Sequence, residues 1–343
     1  MPFGLHGAAA TFQRLMNKIL QSHDQYAAAY IDDIVNTMAS PCPIAFNSTK
    51  YFLIPVYSVV LGAGLPLNCL ALWTLVSQIN KSIVLSVYML NLVVADLLQT
   101  LMLPFWIYYS YWDHNWDLGT GACVAVSLGF ITNFYAKNGF LCLIAMERYI
   151  GVVHPLWFRG LQTIHGATKV SATAWVLVLS ICSVGTGLLL KEPEAGRCYE
   201  GYPLGISYAR FKMATMALSF FLPCFFIGFF YLQVLHKLRQ VPSLERKTKR
   251  QIYSFISLII ISFFLLCAPY QVTSFYKYQR EMVQNNEGLC LFETNLFIYS
   301  QVALCLTTLG NVLDPLLYIL LLKDVRTELG NHLKCKVLAQ GHK

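Results

Sequence analysis

The chain has 343 residues, of which 56% are hydrophobic and only 12% charged, with a mean hydropathy of +0.53. A soluble domain carries about 25% charged residues, so composition excludes an ordinary water-soluble globule and points to a helical membrane protein. The net charge of +8 is divided among short loops; it reads as orientation against an anionic inner leaflet, not as a nucleic-acid-binding surface.

The first 36 residues stand apart from the rest. They read Met-Pro-Phe-Gly-Leu-His-Gly at 1–7, then Ala10-Thr11-Phe12-Gln13-Arg14-Leu15-Met16, then Tyr30-Ile31-Asp32-Asp33. These stretches resemble a retroelement reverse transcriptase, including the paired carboxylates that hold catalytic metal in that family. So short a segment cannot supply the third carboxylate, the palm and the nucleotide pocket that such a site needs. Residues 1–37 are therefore expected to be a non-functional fragment, with Met38 as an alternative start. Residues 38–50 form a short extracellular arm, in which Asn47-Ser48-Thr49 is an N-glycosylation sequon.

Seven long apolar segments follow, at about 51–77, 84–110, 121–146, 170–190, 211–235, 251–276 and 293–322. Each supplies the roughly 20 residues that cross a hydrocarbon core. The first is expected to act as its own insertion signal, without a cleavable leader. Pro66, Pro104, Pro223, Pro269 and Pro315 lie inside these segments. They would break soluble helices, but spanning helices tolerate them where neighbours re-satisfy the freed carbonyls. With the N-terminus outside, 15 of the 25 Lys and Arg residues fall on the cytoplasmic side and 9 outside, as the positive-inside rule requires. After the last segment, Val325, Leu329, Leu333 and Val337 alternate with basic residues. That spacing predicts an amphipathic helix on the inner leaflet. The expected fold is an all-α membrane protein: a seven-transmembrane helix bundle over 51–322, with a short amphipathic eighth helix and tail over 323–343.

Of the eleven cysteines, Cys69, Cys142, Cys182, Cys224, Cys267 and Cys305 lie within apolar segments and read as buried small hydrophobes. Cys42, Cys123, Cys198 and Cys290 fall on the outer side, where an oxidising exterior allows two bridges. We pair Cys123 with Cys198 and Cys42 with Cys290. Cys335, flanked by Lys334 and Lys336, is a candidate for palmitoylation.

Lys137 is the least expected residue. It lies about 21 Å along the third helix from Cys123 and about 16 Å from Arg148, too deep for its stem to snorkel easily. An ammonium at that depth needs a partner. Asp96 and Asp314, each inside another apolar segment, are the candidates.

From Lys50 to about Cys335 the motifs are numerous. They include Gly64-Leu-Pro-Leu-Asn68, Leu92-Val-Val-Ala-Asp96, Trp116 before Gly119, Cys123, Glu147-Arg148-Tyr149, Trp175, Pro223 with Tyr231, Cys267-Ala-Pro269-Tyr270, and Asp314-Pro315-Leu-Leu-Tyr318. In that order and spacing they resemble a rhodopsin-like (class A) G-protein-coupled receptor. Leu103-Pro104-Phe105-Trp106, Thr132-Asn133 and Cys290-Leu-Phe-Glu293 look most like its proton-sensing and lysolipid-associated branch, and nucleotide and chemokine receptors share some of these marks. The resemblance implies a plasma-membrane protein with an extracellular N-terminus. An extracellular ligand would shift its packing, and the cytoplasmic ends of spans three, five and six would open to a heterotrimeric G protein. Arg148 would leave Glu147, next to Tyr149, while Tyr231 and Tyr318 turn inward beneath it. Lys249 offers no carboxylate to hold Arg148, so basal activity is expected.

The chain departs from the family at two places. Lys137 stands where members carry a small polar residue beside a bound sodium ion, and its ammonium is expected to pair with both aspartates in that ion's place. Cys267 stands where the family usually has Trp or Phe, leaving Phe263 to transmit motion.

Phe130 occupies the position at which amine receptors carry an Asp, which disfavours an amine ligand. Tyr57, Trp106, Tyr109, Phe130, Phe134, Tyr270 and Tyr299 are candidate pocket residues, and Lys212 and Lys277 belong to a basic rim with Lys191, Arg197, Arg210 and Arg280. Apolar depth under a basic rim suits an acidic lipid, such as a lysophospholipid or an oxidised fatty acid. Proton sensing, a nucleotide or chemokine-type peptide ligand, and a non-signalling scavenger are the alternatives. Only His114 faces outward in the receptor portion, so strong acid sensing is not expected. No nucleophile–base–acid set, zinc spacing or phosphate-binding glycine loop follows residue 40, so neither enzyme activity, cofactor, metal nor nucleic-acid partner is expected.

Overall fold

In the computed structural model, the structure describes residues 44, 46–80, 83–154, 163–189, 196–198, 206–240, 246–283 and 286–321. Seven of the described helices are long and apolar enough to cross a membrane. They are α1 (Lys50–Ile79), α2 (Val84–Tyr111), α3 (Gly119–Val153), α4 (Ile164–Leu188), α5 (Ile206–Gln240), α6 (Lys249–Val283) and α7 (Leu289–Pro315). Several run past the apolar segments read from sequence, because polar turns continue the helix beyond hydrocarbon depth. Residues 1–43, the expected eighth helix at 323–343, Cys335 and the Tyr318 side chain lie outside what is described.

The bundle closes around α3, which packs on α2, α4 and α5, while α7 packs on α1, α2 and α6. Its core holds Leu75, Leu92, Phe140, Ile144, Ile227 and Phe263, all buried. Large apolar side chains such as Val59, Leu101, Val176, Leu218, Phe225 and Leu265 are exposed instead. That pattern, apolar inside and apolar outside, is what a lipid-facing bundle needs.

The prolines shape three helices. Five-residue π turns at Val60–Gly64 and Ala217–Phe221, and a seven-residue one at Ile261–Cys267, each end two residues before Pro66, Pro223 and Pro269. A proline has no N–H for the carbonyl four residues back and clashes with it, and widening the turn relieves that clash. The freed carbonyls find new donors. Pro223 frees the Ser219 carbonyl, which accepts from Asn138 Nδ2 on α3 at 3.0 Å. Pro315 frees the Asn311 carbonyl, which accepts from Asn68 Nδ2 on α1 at 2.6 Å.

Candidate functional site

One end of the bundle is organised by the Cys123–Cys198 disulfide. Tyr109 Oη accepts the Cys198 N–H at 3.3 Å. Trp116 donates its backbone N–H to Gly196 O at 2.8 Å and its indole N–H to Gly119 O at 2.9 Å. Gly196 and Gly119 adopt φ of 78° and 82°, a region open to glycine without strain. Cys290 is also disulfide-bonded, and its expected partner Cys42 lies outside the described residues. His114 is buried among Phe46, Tyr109 and Phe297, with Nε2 2.9 Å from Thr49 Oγ1. Asn47 is exposed on a short 3-10 turn, Phe46–Ser48, while Thr49 of its sequon is buried.

Beneath this end, α3, α5, α6 and α7 line a partly open cavity of about 40 Å³, room for a few water molecules. Phe130, Phe134, Tyr270 and Leu304 form its apolar wall, and Tyr135, Lys212, Gln271 and Tyr278 its polar one. Lys212 Nζ donates to Tyr135 Oη at 3.3 Å and lies over the rings of Tyr135 and Tyr208 at 5.3 and 5.5 Å. No carboxylate among the described residues pairs with it. Gln271 is buried, and its Nε2 has no acceptor among them. Two hydrogen-bond donors, one of them cationic, thus meet in one aromatic chamber.

The other expected pocket residues lie around this chamber. Trp106 packs on Phe130 at a ring-centroid distance of 5.3 Å and on Tyr109 at 5.7 Å. Tyr57 is buried in a neighbouring cluster with Leu103 and Phe130. Lys277 pairs with buried Glu293 at 2.9 Å. Tyr299 is 70% exposed and stands apart from the cavity. Tyr135, Gln271 and Tyr278 were not singled out from sequence as pocket residues. Their signal was spacing, since Tyr135 follows Phe134, and Gln271 and Tyr278 lie one and eight residues past Tyr270.

At the centre, Lys137 Nζ lies 2.6 Å from Asp314 Oδ2 and 3.5 Å from Asp96 Oδ1. All three side chains are buried. Ser262 Oγ donates to Asp314 Oδ1 at 2.8 Å, and Asn133 Nδ2 to Asp96 Oδ1 at 3.2 Å. Helices α2, α3, α6 and α7 therefore meet at one ionic centre. Nearby, Phe263 stacks on Phe220 with ring planes 5° apart, and Cys267 is buried.

At the end remote from the disulfide, Arg148 Nε lies 3.0 Å from Glu147 Oε2. Glu147 is buried and Arg148 is 34% exposed. Tyr149 stacks on Phe230 of α5. Tyr231 is buried, and its hydroxyl has no hydrogen-bond partner among the described residues.

Known proteins match this sequence. The sequence profile of the 7 transmembrane receptor (rhodopsin family) fits residues 67–318. Probable G-protein coupled receptor 132 of Mus musculus is 31% identical over 286 residues, spanning 81% of this chain and 73% of its own length. G-protein coupled receptor 68 of Bos taurus is 32% identical over 271 residues, 77% of this chain and 72% of its own. G-protein coupled receptor 65 of Homo sapiens is 27% identical over 310 residues, 87% and 91% of the two chains. The chain belongs to the rhodopsin family of seven-transmembrane receptors, multi-pass plasma-membrane proteins that are not enzymes and that pass the binding of an extracellular ligand to a G protein.

Proposed function

We propose that the ligand is an acidic lipid and that its anionic head seats on Lys212. The observation that carries this reading is an ammonium with no carboxylate partner among the described residues, opening into a chamber walled mostly by aromatic and apolar groups. A buried cation of this kind gains most from an anion, and the apolar wall suits an acyl chain. The disulfide end, with the N-terminus, then faces outside, in keeping with the Lys and Arg distribution.

The cavity as it stands holds only water-sized contents, so a lipid must part α3, α5 and α6 to enter. Those helices also carry the opposite end, where Glu147, Arg148, Tyr149 and Tyr231 sit. Separation at one end favours a packing in which Arg148 leaves Glu147 and a groove opens for the G protein. Tyr231 and Tyr318 then turn beneath Arg148.

The test is G-protein activation in cells expressing the full chain, with a panel of acidic lipids and their neutral esters, between about pH 8 and about pH 6. Activation by the free acids, absent with the esters and flat across pH, is the expected result. A steep acid response without lipid would make the chain a proton sensor instead.

A further inference from the structure

We infer that the inner end of α6 binds a multiply phosphorylated inositol lipid of the inner leaflet. Arg246, Lys249 and Arg250 hold its phosphates, and Ser254 and Ser257 its glycerol esters. The inference rests on the orientation that places the disulfide end outside, and not on the identity of the extracellular ligand.

The chain is helical from Arg246, one turn before α6 enters the span, at the end of the bundle where Arg148 lies. An open groove of about 590 Å³ runs along this helix, ample for a phosphorylated inositol ring. Arg246, Lys249 and Arg250 line one end of it, and Tyr253, Ser254 and Ser257 the rest, down to Leu258. These residues recur at the three- and four-residue spacing of one helix face. From Arg246 to Leu258 they cover about 18 Å of helix axis, so the groove starts at headgroup level and reaches hydrocarbon depth. Ile261 and Leu265 continue the same face, both exposed, and offer an apolar track for acyl chains.

Basic residues at an inner end usually mark orientation and nothing more. Two features here go further. No acidic residue occurs in the sequence between Arg246 and Glu281, and no carboxylate among the described residues pairs with the three cations. Two guanidiniums grip phosphate bidentately, and the ammonium adds a point charge. Together they match several phosphate charges, whereas a headgroup with one negative charge would leave most of them unmatched. The second feature is the pair of hydroxyls below the cations, Ser254 half-buried and Ser257 exposed. Exposed hydroxyls on α4 turn back on their own helix: Thr168, Thr173 and Ser180 each donate to the carbonyl four residues before. No hydrogen bond among the described residues engages Ser254 or Ser257. A hydroxyl facing hydrocarbon is costly unless bonded, and the ester carbonyls of a glycerolipid lie just below its headgroup, where they can accept.

The experiment titrates an acyl-labelled phosphatidylinositol bisphosphate into phosphatidylcholine nanodiscs that hold the purified full chain. Saturable binding is expected, displaced by the unlabelled lipid. Phosphatidylserine at equal total charge should not displace it, nor should soluble inositol trisphosphate at the same concentration. Changing Arg246→Gln, Lys249→Gln and Arg250→Gln together is expected to weaken binding by at least about 10-fold. A control set, Lys169→Gln, Lys237→Gln and Arg239→Gln, removes as many exposed cations from the same side. It is expected to weaken binding by less than about 3-fold. Ser257→Leu should also weaken binding while leaving the unfolding midpoint unchanged. Displacement by phosphatidylserine would overturn the inference, as would equal losses in the two triple variants, because either result means diffuse attraction to an anionic surface. Displacement by inositol trisphosphate would rule out the lipid as occupant, and undiminished binding by Ser257→Leu would remove the seat from this groove. The competition arms use the wild type, so they decide the question whether or not the triple variant folds.

Discussion

Asn138 on α3 donates its side-chain amide to the Ser219 carbonyl on α5, the very carbonyl that Pro223 leaves without its helical partner. The proline creates a need and a neighbouring helix meets it. Asn138→Leu should therefore cost about 1–3 kcal/mol, the penalty of a buried unpaired carbonyl. Pro223→Ala restores an N–H at 223. In that background the Asn138→Leu cost should fall below about 1 kcal/mol. Unfolding midpoints of the four proteins in detergent settle the matter, and equal costs in both backgrounds would refute the link.

Arg148 pairs only with its own neighbour Glu147 among the described residues. No second carboxylate from α6 restrains it. The wild type should accordingly show basal G-protein activation, and Arg148→Ala should lose both that and the ligand response while still reaching the cell surface. Retained signalling in Arg148→Ala would remove the arginine from the switch.

Tyr231 carries a buried hydroxyl with no partner among the described residues. A group left unsatisfied at rest gains from any state that supplies a partner. Tyr231→Phe should leave resting stability unchanged or raise it by up to about 1 kcal/mol, yet reduce ligand-driven activation. A Phe variant that signals fully would show that the hydroxyl never finds a partner that matters.

The two aspartates at the centre are unequal, since the ammonium lies 2.6 Å from Asp314 and 3.5 Å from Asp96. Asp314→Asn removes the closer partner and should cost about 3–5 kcal/mol, as breaking a buried pair does. Asp96→Asn leaves that pair intact and should cost less. Equal losses in unfolding midpoint would mean that the ammonium is shared evenly.

The spans were readable because hydrocarbon thickness demands long apolar runs, and Lys137 was readable because a charge at such depth stands out. The disulfide and the Asp96–Lys137–Asp314 cluster came from position on the spans and from family resemblance. Other features could not be read so directly. In a membrane bundle both the packed and the lipid-facing sides are apolar, so Tyr299 gave no sign in the sequence that it would be 70% exposed. Gln271 and Tyr278 line the cavity because of the rotation of α6, which hydropathy does not encode.

Lys212 offers the sharpest test of ligand chemistry. Its ammonium is held by Tyr135 Oη and two aromatic faces, contacts that position the charge without neutralising it. An acidic lipid would supply the anion that the described residues do not, and a hydrogen bond to a charged group contributes about 1.5–3 kcal/mol. Lys212→Met keeps the bulk and removes the charge, so affinity for the free acid should fall by about 10- to 100-fold. The neutral methyl ester should bind wild type and variant alike. Gln271→Leu, which removes an uncharged donor from the same chamber, should weaken the acid less than Lys212→Met does. Competition binding on membranes, with acid and ester in parallel, separates the outcomes. Equal losses for acid and ester would mean that Lys212 shapes the chamber through its packing, and the anion would then have to seat elsewhere on the basic rim.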